Sequence, residues 1–116
     1  MHLLVHVEHR DGFAVLTPQG EVDFATGPEL KSAILDVLAD GSVDVVVNLL
    51  DVGFIESTGL GALIGGRRRA NDLAGSLSLV CTQEQMLKIF HITGLDKVFT
   101  IYDTVDAATT RRSVSS

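Results

Sequence analysis

Alternating apolar and polar residues near the start of the chain predict two short β-strands. The first strand is predicted from Leu3 to His9 and the second from Phe13 to Thr17. Asp11 and Gly12, between them, are typical of a tight hairpin turn. The chain is therefore expected to open with an antiparallel pair of strands.

The next segment has the apolar spacing of an amphipathic helix. Thr26 and Glu29 have the spacing of a capping box and Pro28 suits a first helical turn, so the helix is predicted to begin here. Gly41 is predicted to end it. The apolar stripe consists of Leu30, Ala33, Ile34, Val37 and Leu38.

A valine-rich run from Val43 to Leu50 is apolar except at Asp44 and Asn48. Such a run is typical of a strand that is covered on both faces, so we expect it to be central in a sheet. A helix from about Thr58 to Asn71 and a strand from Leu77 to Val80 then repeat the order of strand and helix. This order predicts parallel strands joined by right-handed crossovers.

The last third of the chain predicts a further helix and a short strand. Thr82 and Gln85 have the spacing of a second capping box, and Gly94 is predicted to end the helix. A strand is predicted from Val98 to Ile101, and a final helix from Asp103. The apolar residues of the helix after Gln85 are Met86, Ile89 and Phe90.

These elements predict one α/β domain over residues 1–110, with a mixed sheet of four or five strands and about four helices. The chain has 116 residues, of which 46% are hydrophobic and 21% are charged, as expected for a single buried core. Residues 111–116 show no apolar periodicity and are expected to be a disordered tail.

Composition and net charge also limit the classes of partner that the chain is expected to bind. No run approaches the length of a membrane span and the start lacks the features of a secretory signal, so we expect a cytoplasmic protein without a membrane partner. The formal net charge of −6 argues against binding nucleic acid, which requires a basic face. Arg67, Arg68 and Arg69 point around a helix and are expected to be solvated. The lone Cys81 is expected to be a small buried apolar residue.

The stretch FIESTGLGALIGG, from Phe54 to Gly66, carries the candidate chemistry. A nucleotide-binding loop is disfavoured, because Gly59 and Gly61 match a G-x-G-x-x-G pattern but Ile64 holds the third glycine position. A catalytic serine would need glycines two positions away on both sides, and Ser57 has Ile55 on one side. No enzyme activity and no cofactor are therefore expected.

Other candidate sites are weaker still. His91 lies at the end of a predicted helix without a motif around it. His2, His6 and His9 lack the spacing of a metal site, so no metal is expected.

Ser57 at the start of a predicted helix has two remaining interpretations. An exposed hydroxyl beside an acid and a small glycine could accept a phosphate from a partner, and the helix dipole would stabilise that phosphate. Serine is also a favoured N-cap residue, so Ser57 could simply cap the helix. The residues alone leave both interpretations open.

Three ordered motifs resemble the anti-sigma factor antagonists of the STAS-domain superfamily over nearly the whole chain. They are GEVDFATGPEL, DVGFIESTGLGALIGG and IFHITGLDKVFTIYDTVDAA. The resemblance implies a STAS-type fold and a protein that binds an anti-sigma factor, itself a serine kinase, and thereby frees a sigma factor. Phosphorylation would release the kinase, and a phosphatase would reset the cycle.

The same resemblance implies roles for individual residues. Ser57 matches the phosphorylated serine and Thr58 the second hydroxyl, while Glu56 stands where the family usually has Asp. The partner-binding set implied is Asp23, Glu56, Ser57, Thr58, Gly59, Leu60 and Gly61. Gly20, Glu21, Val22 and Asp23 match a loop at the partner-facing end.

Two alternative functions remain at the level of sequence. The chain could be a STAS subunit of another regulatory or transporter assembly in which Ser57 is not phosphorylated. It could also be a small nucleotide-binding or hydrolytic protein that uses the glycines from Gly59 to Gly66. The sequence does not name the sigma factor, the kinase or the phosphatase.

Overall fold

The computed structural model describes residues 3–110. Within this range, six strands and four helices follow one another, with one 3₁₀ turn at Leu95–Lys97. The strands are β1 (Leu4–Arg10), β2 (Phe13–Val22), β3 (Asp44–Asn48), β4 (Val52–Ile55), β5 (Ser76–Val80) and β6 (Ile101–Tyr102). The helices are α1 (Gly27–Ala39), α2 (Ser57–Asp72), α3 (Glu84–Ile92) and α4 (Val105–Ala108). The predicted tail, residues 111–116, lies outside the described residues.

The sheet is mixed, as the sequence predicted. Its strands lie in the order β1-β2-β3-β5-β6, and β4 pairs with β2 off this path. The β1–β2 hairpin is antiparallel, whereas β2 pairs in parallel with both β3 and β4. The valine-rich strand β3 lies between β2 and β5 and is central, which confirms that prediction.

The core lies mainly between the sheet and the helix pair α1 and α2. Leu30 and Ile34 of α1 and Leu63 of α2 are fully buried in it together with Val45 and Val47 of β3. Gly66 allows the two helices to approach, because a Cβ at this position would lie 2.7 Å from Cγ2 of Ile34. The opposite face of the sheet is covered by the short helix α4, through Val105 and Ala108.

Both predicted capping boxes are wrong. Thr26 is the N-cap residue of α1, yet its side chain makes no capping bond. Its hydroxyl instead donates to the carbonyl of Glu21, before the helix. At α3 the N-cap residue is Gln83, one position after Thr82. The Gln83 side chain instead donates to the carbonyls of Leu49 and Val52, at 2.7 Å each.

Two further differences concern strands. The strand predicted from Val98 to Ile101 begins only at Ile101, and Phe99 is buried in the segment before it. The sheet also has one strand more than expected, because β4 follows β3 after a tight turn. Arg68 and Arg69 are exposed on α2, in agreement with the prediction, and Arg67 is half-buried. Among residues 3–110, no helix is both long enough and apolar enough to cross a membrane.

Candidate functional site

The site is built where two neighbouring parallel strands end. Strand β2 ends at Val22 and strand β4 ends at Ile55, and these two residues are opposed in the sheet. The chain leaves β2 through Asp23 towards α1 and leaves β4 through Glu56 towards α2. The two sequence motifs that contain these acids are therefore adjacent in space.

Ser57 is the first residue of α2 and is exposed. Within residues 3–110, its hydroxyl forms no hydrogen bond. The N-cap residue of α2 is Glu56, and no side chain caps the first turn. The interpretation of Ser57 as the helix cap is therefore wrong, and the backbone N–H groups of this turn have no side-chain acceptor.

Glu56 links the two strand ends. Its backbone is extended, at φ −104° and ψ −179°, and its N–H donates to the carbonyl of Val22 at 2.9 Å. Its carboxylate does not cap α2. Instead, Oε1 accepts a hydrogen bond from the N–H of Phe24 at 3.1 Å, so the longer side chain of Glu reaches the loop that follows β2.

Asp23 organises that loop from within. Its Oδ1 accepts hydrogen bonds from the N–H groups of Ala25 at 2.9 Å and Thr26 at 3.0 Å. These bonds, that of Thr26 foremost, hold the pKa of Asp23 below its usual value because they stabilise the charged form. Thr26 completes the loop, since its buried hydroxyl donates to the carbonyl of Glu21 at 2.8 Å and accepts from the N–H of Asp23 at 2.9 Å.

The two glycines after Ser57 have different surroundings. A Cβ on Gly59 would lie 2.5 Å from Cγ1 of Val22 and 2.7 Å from Cγ1 of Ile55. Gly59 is thus buried and allows the first turn of α2 to lie on the strand ends, although the resemblance implied that it is one of the partner-binding residues. Gly61 is exposed, and a Cβ there would have no atom within 4 Å.

Thr58 and Leu60 are half-buried, unlike Ser57. Thr58 lies against α1, where a Cβ on Gly27 would come within 2.9 Å of its Cγ2. Leu60 packs against the core, and its N–H donates to the carbonyl of Glu56 at 3.0 Å. Of the two neighbouring hydroxyls, the one on Ser57 is the more accessible to a partner.

Two exposed aromatic side chains flank the site and were missed at the level of sequence. Phe24 is 75% exposed and Phe54 is 45% exposed. Phe54 borders a groove of about 260 Å³ between β4 and α3, whose apolar lining includes Ile55, Met86 and Ile89. Both phenylalanines lie inside the motifs, Phe24 directly after Asp23 and Phe54 two positions before Glu56, and this proximity to the acids is the signal in the sequence that could have identified them.

The remaining reactive side chains lie apart from this site. His91 is exposed at the end of α3, with Nδ1 2.9 Å from Oδ2 of Asp96. Cys81 is 1% exposed, as expected, and burial raises the pKa of its thiol. In the described part of the chain, no three His, Cys, Asp or Glu side chains are grouped closely enough to hold a metal ion.

Comparison with known proteins agrees with this architecture. The sequence model of the STAS domain family matches residues 5–108. An anti-sigma-B factor antagonist from Staphylococcus epidermidis is 34% identical over 95 residues, which is 82% of this chain and 88% of that protein.

Solved structures give the same result. The crystal structure of an anti-sigma factor antagonist from Mycobacterium paratuberculosis superimposes with a TM-score of 0.83 at 35% identity, over 91% of this chain and 90% of that one. The Bacillus cell fate determinant SpoIIAA in its phosphorylated form matches with a TM-score of 0.69 at 22% identity, over 90% of this chain and 96% of that one. At that identity the likeness to SpoIIAA concerns the fold.

Proposed function

Because the chain belongs to the STAS domain family, we propose that it is an anti-sigma factor antagonist controlled by phosphorylation of Ser57. Its unmodified form binds an anti-sigma factor that is also a serine kinase, and the sigma factor is released. Phosphate on Ser57 ends that binding, and a phosphatase restores it. The relatives from Staphylococcus epidermidis and Mycobacterium paratuberculosis, both named as antagonists of anti-sigma factors, support the first part.

The main observation in favour of the switch is that the Ser57 hydroxyl is accessible. It is exposed, it begins α2, and it forms no hydrogen bond within the described residues. A kinase can therefore reach it without breaking an existing contact. The alternative hydroxyl of Thr58 is half-buried against α1 and is less accessible.

The surroundings of Ser57 support a mechanism by which phosphate would end binding. Phe24, in the loop that contacts Glu56, and Phe54, in β4, offer exposed aromatic side chains, and aromatic residues commonly anchor protein interfaces. A phosphate adds about −1.5 to −2 charges and a strongly hydrated group at neutral pH. Burying that group in a packed contact has a high desolvation cost, so the partner dissociates.

The proposed role is that of a binding protein and not of an enzyme. ATP belongs to the kinase partner, and the protein works in the cytoplasm with its partners. No hydrogen bond within residues 3–110 joins the Ser57 hydroxyl to a histidine or a carboxylate that could activate it. Purified protein incubated with labelled ATP alone is expected neither to hydrolyse it nor to become labelled.

The experiment begins with a pull-down that uses unmodified protein and identifies the kinase by mass spectrometry. The kinase is then incubated with ATP and wild-type protein, Ser57→Ala or Thr58→Ala, and the phosphate is mapped. We expect phosphate on Ser57 in wild type and in Thr58→Ala, and none in Ser57→Ala. A binding titration should show that Ser57→Ala retains affinity, that the phosphorylated form loses it, and that Ser57→Asp loses it in part.

Three outcomes would contradict the proposal. Phosphate found only on Thr58 would show that Thr58, and not Ser57, is the phosphorylated residue. Full-affinity binding by the Ser57-phosphorylated form would leave a STAS subunit without a phosphoswitch as the better description, and tight nucleotide binding by the isolated protein would favour a nucleotide-binding role.

A further inference from the structure

Strand β1 forms one edge of the sheet and leaves that edge open. It pairs with β2 on one side, and no other strand of residues 3–110 lies on its other side. Five of its seven residues are exposed, and two of these five are apolar. Leu4 is 68% exposed and Val7 is 39% exposed. An open edge with exposed apolar residues can pair with another strand.

The pairing with β2 assigns the side chains of β1 to the two faces of the sheet. Val7 is opposed to Leu16, which lies in the core on the face covered by α1 and α2. His6 is opposed to Thr17, and Glu8 to Val15, whose side chain lies in the cluster on the opposite face beneath α4. His6 and Glu8 therefore share one face, and Val7 lies on the other, at a place the helices leave exposed.

We propose that two copies of the chain associate through β1, paired antiparallel about a two-fold axis at Val7. The interaction would join the two sheets into one continuous sheet. It is independent of the function proposed for Ser57, since it uses none of the residues of that site.

The pleat of the strand limits the possible registers. Directly opposed residues in an antiparallel pair point to the same face, and successive residues point to opposite faces. A two-fold axis must therefore pass through a residue and not between two residues. The central candidates are His6, Val7 and Glu8.

Charge decides among these three registers. An axis at Glu8 would place the two Glu8 carboxylates directly opposite each other, which is destabilising. An axis at His6 would oppose the two imidazoles and leave the end of the strand at Arg10 unpaired. An axis at Val7 uses all of β1, opposes each His6 to Glu8 of the second copy, and brings the two Val7 side chains together.

This arrangement gives matching partners to His6, Val7 and Glu8, which are exposed in a single copy. Each His6 ring can donate an N–H to the carboxylate of Glu8 in the second copy, and symmetry gives two such pairs on one face. On the other face, Val7 covers Val7 of the second copy. Charges of one sign commonly protect an edge strand from pairing, but here the polar residues are complementary under the two-fold axis.

A charge exchange tests the register. Wild-type protein is expected to show a concentration-dependent dimer in sedimentation equilibrium. Glu8→Lys should weaken the association constant about tenfold, because it removes the carboxylate that accepts from His6 in both cross-strand pairs. The double variant His6→Glu with Glu8→Lys restores opposite partners and should recover most of the wild-type association constant. Asp72→Lys, with the same change in net charge on an exposed residue at the end of α2, is the control and should not differ from wild type.

Cysteine cross-linking tests the axis itself. Val7→Cys places two thiols opposite each other, and mild oxidation should give a covalent dimer. His9→Cys lies on the same face and is also exposed, but its two thiols would be about 13 Å apart in this register, from a rise of about 3.3 Å per residue. Cys81 is buried and does not contribute thiols at the surface.

Each experiment can overturn the proposal. A wild-type protein that stays monomeric at every concentration would do so, as would equal dimerisation of Glu8→Lys and Asp72→Lys. Covalent dimer formed as readily by His9→Cys as by Val7→Cys would exclude the axis at Val7. Circular dichroism of each variant shows whether it has folded, so a loss of dimer is not confused with unfolding.

Discussion

Gly59 and Gly61 are two positions apart in the sequence, yet they do different work. Gly59 lies against Val22 and Ile55, whereas Gly61 faces open space. Gly59→Ala forces a methyl group into contacts of 2.5 and 2.7 Å, so we expect the free energy of unfolding to fall by about 1–3 kcal/mol. Gly61→Ala should raise it by up to about 1 kcal/mol, because alanine is the better helix former. Guanidinium unfolding of both variants and wild type measures the difference.

Equal stability of Gly59→Ala and Gly61→Ala would contradict this prediction. It would mean that the first turn of α2 does not lie closely on the ends of β2 and β4. Partner binding by Gly59→Ala, measured under conditions where it is folded, would separate a loss of stability from a loss of contact.

Asp23 gives a prediction about pH at the same scale. Its pKa in the folded protein is held below its usual value by hydrogen bonds from Thr26 and Ala25. A carboxyl group with a lowered pKa stabilises the fold above its unfolded pKa, and this stabilisation is lost as the pH falls through the folded pKa. We therefore expect Asp23→Asn to be less stable than wild type at neutral pH, with the gap in stability closing in acid below the usual pKa of an Asp side chain. An NMR titration in which Asp23 has a pKa at or above that usual value would contradict this.

At the scale of elements, the contact from Glu56 to Phe24 joins the start of α2 to the loop before α1. Glu56 Oε1 accepts from the Phe24 N–H at 3.1 Å across 32 positions of sequence. Glu56→Asp shortens the side chain by one methylene and should break this bond, whereas Glu56→Gln keeps a carbonyl acceptor at the same reach. We expect the Phe24 amide to exchange hydrogen faster in Glu56→Asp than in Glu56→Gln or wild type.

The control for this experiment is an amide that the change should not affect. The N–H of Leu60 donates to the backbone carbonyl of Glu56, and its exchange should be similar in all three proteins. Equal exchange of the Phe24 amide in Glu56→Asp and wild type would show that the bond does not hold the loop.

Some elements were predictable from sequence because their signal is local and long. The stripe of α1 and the valine-rich run of β3 each reflect burial that repeats over many residues, and both are found where expected. Strand β4 has only four residues, with Gly53 and Phe54 exposed in its middle, so its pattern does not alternate. It exists because β2 continues past Gly20, whose φ of +118° accompanies a shift of register, and offers β4 an edge. That dependence on a distant strand is not visible in the segment itself.

At the scale of the whole molecule, the parallel pairing of β2 and β4 creates the candidate site. Their ends bring Asp23 and Glu56 to one edge of the sheet, with Ser57 next to them. The position of Ser57 at a helix start followed from the sequence, since it depends on neighbours in the chain. Other features depend on how the two loops pack against each other, which the pattern of a single segment does not indicate. These features are the bond from Glu56 to Phe24, the burial of Gly59 and the exposure of Phe24 and Phe54.

The stability of the entire domain should change little on phosphorylation of Ser57. A phosphate could release a partner by blocking the contact surface or by unfolding the start of α2, and only unfolding would lower the melting temperature strongly. The phosphate lies on an exposed residue at the positive end of α2, a location worth about 0.3–1 kcal/mol to an anion. The neighbouring carboxylate of Glu56 is bonded to Phe24, and its repulsion offsets part of that gain. Because about 1 kcal/mol shifts the melting temperature of a domain this size by some 4–8 °C, we expect a change of less than about 5 °C. Calorimetry of wild type after treatment with the kinase and ATP, beside Ser57→Ala treated in the same way, makes the measurement. A fall of more than about 10 °C would mean that the phosphate acts by unfolding the start of α2, since surface charge effects of this kind are too small to cause it.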